Sequence, residues 1–367
     1  MLENIKLTRE QTFFLIFICA LGNIVYTHTW IDDEADRAAW VAALAGILLV
    51  TPFAVWMLYL GENYPEKNLL DIVEDGLGKF PGGIVSCVYI LINVAVAVAI
   101  LNLFTELIKS VFLPKTPVGV IMLILVLVAV SIISSGLKAF SRTAELLTGL
   151  GLANFFFSFV FSVPKYFHTE YIFPVFDTSW LGFIKGTLFM TGAASECLLL
   201  IMIIVRFIPD PGKHCLWVVT GLVFCAVVFS AAILVIMAML SPELAKRIAF
   251  GGVNAARIIQ VGEFIRGLEV FIFITYQFIA IGKISVCLYC GWTAVQKILH
   301  NIKPWLSLAA LSSVVLALSF WLNSYNKAYQ LAVVLGTYIL LPFSILMLLI
   351  CTILLIVKKK KSDAMDS

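Results

Sequence analysis

The sequence predicts an all-α integral membrane protein with about ten transmembrane helices. Of its 367 residues, 62% are hydrophobic and 13% are charged, and the mean hydropathy is +1.04. This composition excludes a soluble globular domain. The apolar runs are roughly 18 to 30 residues long, which suits helices, because a tilted strand of a membrane barrel needs only about 9 to 11 residues.

The apolar runs give the order of the predicted spans, since clusters of proline, glycine and charged residues mark their ends. The spans are expected near residues 11–29, 39–61, 84–113, 117–135, 143–164, 182–207, 216–240, 264–290, 305–323 and 331–357. The longest connectors are 62–83, 165–181 and 241–263. The whole chain, residues 1–367, is therefore expected to form a single membrane domain.

The distribution of Lys and Arg predicts that both termini are cytoplasmic. With the N-terminus inside, the inner connectors and the C-terminal tail carry about twice as many Lys and Arg residues as the outer connectors. The run from Lys358 to Lys361 opens a cytoplasmic tail over 358–367. We interpret this run as an anchor to membrane lipid headgroups, with a partner-binding tail as the alternative.

Interruptions in the first and sixth runs predict an inverted repeat. Two halves of five spans, about 11–164 and 182–357, would enter the membrane in opposite directions, and each half would begin with a broken helix. The first interruption is Leu21-Gly22-Asn23, and the second runs from Thr191 to Glu196. Because freed backbone groups in a membrane must face protein or a cavity, the two breaks predict a ligand site.

Glu196 reinforces this prediction. A carboxylate at mid-membrane depth costs roughly 2.5 to 3.5 kcal/mol on insertion scales and usually marks a site. Half-helix N-termini would face the carboxylate of a ligand and half-helix C-termini its ammonium, which suits an amino acid. The alternative is a small-residue packing face with a satisfied Glu. The predicted ligand-binding residues are Gly22, Asn23, Ile24, Tyr26, Gly192, Ala193, Ala194, Ser195, Glu196, Thr275 and Tyr276.

Other function classes find no support in the sequence. The chain has no GxxxxGK[ST] motif, no hydrolase triad and no basic nucleic-acid patch. Cys287 and Cys290 form a CxxC at helical spacing, but without a second pair or a nearby His they do not predict a metal site. We therefore expect no enzyme activity, no catalytic residue, no cofactor, no metal and no nucleic-acid partner.

Short signatures, mostly at the ends of the spans, carry a family resemblance. They are Leu21-Gly22 before Ala39-Trp40, Tyr64-Pro65 before Gly76-Leu77-Gly78-Lys79-Phe80, Lys115-Thr116-Pro117, Gly136-Leu137 with Ser141-Arg142, Phe173-Pro174-Val175, the Glu196 region, Ser241-Pro242-Glu243 and Gly262-Glu263-Phe264-Ile265-Arg266. In this order and spacing the chain resembles the spore germination permeases. These are the B subunits of endospore nutrient germinant receptors, within the amino acid/polyamine/organocation transporter superfamily.

The resemblance implies a LeuT-like permease fold in the spore inner membrane, with a nutrient such as an amino acid bound at the two breaks. It also implies assembly with an A-type subunit and a lipoprotein C-type subunit, and a sensing role. A proton- or sodium-coupled amino acid transporter is the main alternative, and a scaffold with a degenerate pocket is the third. Three positions depart from the family pattern, because Ile24 and Ala194 stand where the family usually has glycine and Thr29 stands where it usually has proline. A β-branched Ile24 would reshape the pocket.

Overall fold

The computed structural model describes residues 6–177, 179–259 and 269–366, except for the side chains at 154, 157–165 and 361–366. The regular elements of these residues are helices. They are α1 (Arg9–Leu21), α2 (Ile24–Ala35), α3 (Ala39–Leu48), α4 (Thr51–Asn63), α5 (Leu69–Leu77), α6 (Lys79–Val111), α7 (Val118–Ser134), α8 (Leu137–Tyr166), α9 (Trp180–Ala194), α10 (Glu196–Ile204), α11 (Pro211–Leu240), α12 (Pro242–Ala245), α13 (Gly251–Ile258), α14 (Glu269–Ile298), α15 (Pro304–Leu322), α16 (Tyr325–Val334) and α17 (Leu340–Asp366).

The helices confirm the predicted class, an all-α membrane protein. Among the described residues, seven helical stretches are long and apolar enough to cross a membrane, and α7 is a shorter apolar helix. Each predicted span overlaps one or two of the helices, but the number of ten crossings remains a prediction. The predicted start of the eighth span at residue 264 and the signature Gly262 to Arg266 lie outside the described residues.

Local signals set several helix starts. At α1, Thr8 and Gln11 form a reciprocal capping box, in which each side chain accepts a hydrogen bond from the other residue's backbone N–H. Asn68 and Asp71 do the same at α5. Proline opens α11 and α15, where its missing N–H leaves no intrahelical bond unmade. The capping boxes and the prolines thus determine where these four helices begin.

Three features were not predicted from the apolar runs. The second span is divided into α3 and α4 by a turn, and the long connectors contain the short helices α5, α12 and α13. The last span contains a π-helix at Leu335–Ile339, between α16 and α17. Hydropathy over a membrane-length window does not detect helices of one or two turns or a change of helical pitch. Such π segments are frequent at functional sites.

The broken helices lie at the centre of the bundle. Helix α9 packs against α2, α3 and the π-helix, and α1 packs against α8, α11 and α14. In the most apolar 18-residue segment of the stretch Trp180–Phe207, 94% of the residues are buried, whereas in the corresponding segment of α15 33% are buried. Helices α7 and α15 carry exposed large apolar side chains such as Leu127 and Trp321, as expected for helices that face lipid. The central position of the breaks is what brings them into contact.

Candidate functional site

The first break is a tight turn. Gly22 (φ −58°, ψ −15°) and Asn23 (φ −81°, ψ −10°) keep near-helical dihedral angles. The N–H of Asn23 donates to the carbonyl of Ala20 at 3.4 Å instead of to Cys19, four residues earlier. The carbonyl oxygen of Cys19 is therefore free for a partner outside its helix.

The second break is smaller than the predicted interruption from Thr191 to Glu196, since it consists of Ser195 between α9 and α10. The Ser195 N–H still donates to Thr191 at 3.0 Å, and its hydroxyl donates to the carbonyl of Gly192 at 2.5 Å. A serine hydroxyl that returns to the preceding turn commonly bends a helix. The sixth span is therefore interrupted at one residue and not unwound over a turn.

Asn23 joins the two breaks directly. Its Nδ2 donates to the carbonyl of Ala193 at 2.9 Å, and both residues are fully buried. The carbonyl oxygen of the Asn23 side chain is buried and has no hydrogen-bond partner among the described residues. Such an orphaned acceptor is uncommon in folded proteins and suits a donor that the ligand or a water supplies.

Lys283 makes the second connection between the breaks. Its side chain is fully buried, and Nζ donates to the freed carbonyl of Cys19 at 2.7 Å and forms an ion pair with Oε2 of Glu196. The eighth span was predicted to end at residue 290, but α14 continues to Ile298, so Lys283 lies well inside the helix. A single lysine in an apolar run was the available signal, since intramembrane charges usually mark sites.

Two glycines of the predicted site allow close helix packing. A Cβ at Gly22 would lie 2.6 Å from Cγ and Cδ of Lys283. The aliphatic part of the lysine side chain therefore occupies the space that a side chain at residue 22 would fill. A Cβ at Gly192 would collide with the carbonyl oxygen of Gly336 in the π-helix. Both positions require glycine because of space rather than a special dihedral angle.

An apolar cavity of about 80 Å³ lies beside the first break. The residues that line it are Leu21, Ile24, Gly151, Leu152, Phe155, Val228, Ala232, Val235, Ile236, Met239, Gly252, Ala255, Ala256, Ile259, Ile272, Thr275, Tyr276 and Ile279. They belong to α1, α2, α8, α11, α13 and α14, together with the residue that follows α13. The described lining residues carry no charge.

The predicted site residues thus fall into separate groups. Ile24, Thr275 and Tyr276 line the cavity. Gly22, Asn23 and the segment 192–196 form the junction of the two breaks beside it, and do not line it. Tyr26 is buried and packs edge-on against Phe189, with ring centroids 6.4 Å apart. Among the described residues no group of three or more His, Cys, Asp or Glu could hold a metal ion.

A buried hydrogen bond connects α6 to α10, and its removal gives a testable prediction. Tyr89 Oη donates to the carbonyl of Leu199 at 2.7 Å. Tyr89→Phe removes the donor and is expected to destabilise the fold by about 1 kcal/mol. The thermal midpoint of the purified protein checks this, with Tyr59→Phe on the exposed surface as control. Equal midpoints for the two variants would contradict the prediction.

The helical bundle with broken first and sixth spans has the LeuT-like class of transporter fold. A crystal structure of a mutant manganese transporter from Eremococcus coleocola superposes with a TM-score of 0.64, covering 93% of this chain and 78% of the transporter. The sequences are 15% identical, so the likeness concerns the fold alone.

Sequence comparison then assigns the family. Residues 6–328 match the family model described as Spore germination protein, and the chain belongs to this spore permease family. Spore germination protein KB of Bacillus subtilis (strain 168) is 22% identical over 99% of this chain and 98% of its own length. Spore germination protein YndE of the same organism is 20% identical over 89% of this chain and 90% of its own length. The resemblance inferred from the short signatures is confirmed.

Proposed function

We propose that the chain is the B-type, nutrient-sensing subunit of a spore germinant receptor. The observation that supports this most is the apolar cavity against the first helix break, in a member of the spore permease family. The ligand would be a small nutrient, an amino acid, whose side chain lies in the cavity against Ile24, Thr275 and Tyr276.

The lining indicates the ligand chemistry. A dry cavity of about 150 Å³ is large enough for benzene, so a cavity of about 80 Å³ suits an aliphatic side chain of a few carbons. Helix α2 begins at Ile24, which lines the cavity, and its N-terminus has no side-chain cap among the described residues, which leaves N–H donors for a carboxylate. A small aliphatic amino acid has both the side chain and the carboxylate.

The junction offers a route from the cavity to the rest of the molecule. Ile24 lines the cavity, and the adjacent Asn23 holds Ala193 of α9 by its side-chain hydrogen bond. Binding would shift the equilibrium between two conformations to the extent that the ligand's affinity for them differs. We propose that A-type and lipoprotein C-type subunits receive this shift in the spore inner membrane, with both termini of this chain in the cytoplasm.

Two neighbouring alanines of α11 test the ligand site. Ala232 lines the cavity, whereas Ala231 does not and is half-buried. Small aliphatic amino acids are expected to raise the thermal midpoint of the purified chain, because a ligand that binds the folded state stabilises it. Ala232→Leu fills part of the cavity and should abolish this rise, whereas Ala231→Leu should retain it. Retention of the rise in Ala232→Leu would place the ligand elsewhere.

A proton-coupled amino acid transporter is the second candidate, because the buried ion pair of Lys283 and Glu196 is of the kind found in proton relays. Proteoliposomes that contain this chain alone distinguish the two. Uptake of a labelled amino acid that depends on a proton gradient would favour the transporter. Loss of germination on deletion of the gene, without such uptake, would favour the sensor.

A further inference from the structure

The ammonium of Lys283 occupies a point where both broken helices present oxygen atoms. Its Nζ is 2.7 Å from the carbonyl oxygen of Cys19, which the first break frees, and is paired with Oε2 of Glu196, the first residue after the second break. The Sγ of Cys19 lies 3.9 Å away. Because one nitrogen contacts both oxygens, α1 and α10 each contribute an oxygen atom to one site, and this site has the size of a small cation.

This position requires a positive charge. Glu196 is 6% exposed, and a buried carboxylate without a partner carries a large desolvation penalty. A freed carbonyl in a membrane interior likewise needs a donor or a cation. Carbonyl and carboxylate oxygens are the ligands that hard cations take. The oxygens of Cys19 and Glu196 would therefore attract a small cation if Lys283 were absent.

The surrounding sequence accommodates the lysine. Gly22 leaves open the space through which the Lys283 stem passes. Gly282, the residue before it, lets α14 approach α1, since a Cβ there would collide with the Ile18 side chain. Two glycines, one in the first break and one in α14, thus allow the ammonium to reach the junction, which supports a specific role for this side chain.

We propose that the Lys283 ammonium is a built-in cation that fills a cation site formed by the two breaks. The folded protein then holds α1 and α10 together without a free alkali cation. The site becomes accessible to Na⁺ or a small alkylammonium ion only when the lysine side chain is removed.

Thermal midpoints of the purified full chain, measured without any nutrient, test this proposal independently of the proposed function. The wild-type midpoint should be the same in NaCl and in choline chloride of equal concentration. Lys283→Ala should have a lower midpoint in choline chloride, and Na⁺ or methylammonium should raise it by a few degrees in a saturable manner. A midpoint of Lys283→Ala that does not respond to either cation overturns the proposal.

Two further measurements make the outcome specific. Ile284→Ala removes a buried side chain from the next position of α14, and its midpoint should fall without responding to cations. If Lys283→Ala does not fold, the double variant Lys283→Met/Glu196→Gln should fold and show no saturable response, since its carboxylate is gone. A saturable Na⁺ response of the wild-type chain, or of this double variant, overturns the proposal.

Discussion

Glu196→Ala is expected to destabilise the folded protein by about 3 to 5 kcal/mol, because it leaves the Lys283 ammonium buried without its counter-charge. The carbonyl of Cys19 remains as a partner, but a carbonyl supplies only a partial negative charge. Glu196→Gln keeps a hydrogen-bond acceptor at the same place, so its loss of stability should be smaller than that of Glu196→Ala. The thermal midpoint of the purified protein checks this: it should be highest for the wild type, lower for Glu196→Gln and lowest for Glu196→Ala.

A double-mutant cycle shows whether the loss comes from the pair. Lys283→Met alone leaves the Glu196 carboxylate unpaired, whereas Lys283→Met/Glu196→Gln removes both charges. Replacing a buried ion pair by neutral groups of similar volume is often close to neutral. The double variant should therefore be more stable than Glu196→Ala or Lys283→Met. If the stability losses of Lys283→Met and Glu196→Gln add up to the loss of the double variant, the two side chains are not coupled.

Gly192→Ala is the second change with a large expected effect. The added methyl group would overlap the carbonyl oxygen of Gly336, a backbone atom of the π-helix that cannot rotate away. Overpacking of a well-packed interior costs about 1 to 3 kcal/mol and sometimes more, and a clash with backbone belongs at the upper end. Helix α9 must shift away from the π-helix, so the ligand-induced rise in midpoint should also be reduced.

Gly149→Ala is the matched control, because Gly149 lies in α8 and a Cβ there meets no atom of the described residues within 4 Å. Alanine favours helix over glycine by about 1 kcal/mol at most, so this variant should be unchanged or slightly stabilised. A Gly192→Ala protein as stable as Gly149→Ala, with the same response to ligand, would contradict the close packing of α9 on the π-helix.

The sequence predicted much of the fold because its signals are local. Hydropathy identified the membrane-spanning helices, and the position of Gly22-Asn23 located the first break. The second break was located but overestimated in length, since a cluster of small residues from Gly192 to Ser195 does not show how much of it stays helical. Interruptions such as the turn between α3 and α4 leave the apolar composition unchanged and were missed.

The candidate site was only partly predictable. The small residues and Glu196 indicated a junction, but the partner of Glu196 is Lys283, 87 residues later in the chain. The contact between Asn23 and Ala193 spans 170 residues. Neither pairing has a signature in the sequence. The cavity depends in the same way on how six helices meet, and three of the predicted residues line it.

The amino-acid sequence by itself therefore determined an all-helical membrane protein of the spore permease family with breaks in its first and sixth spans. These features depend on hydropathy, turn residues and signatures read along the chain. Only the tertiary structure decided that the breaks are joined by Asn23 and Lys283 and that the cavity lies beside the first of them. The physical reason is that buried side chains find their partners through the packing of helices distant in sequence, which local composition does not specify.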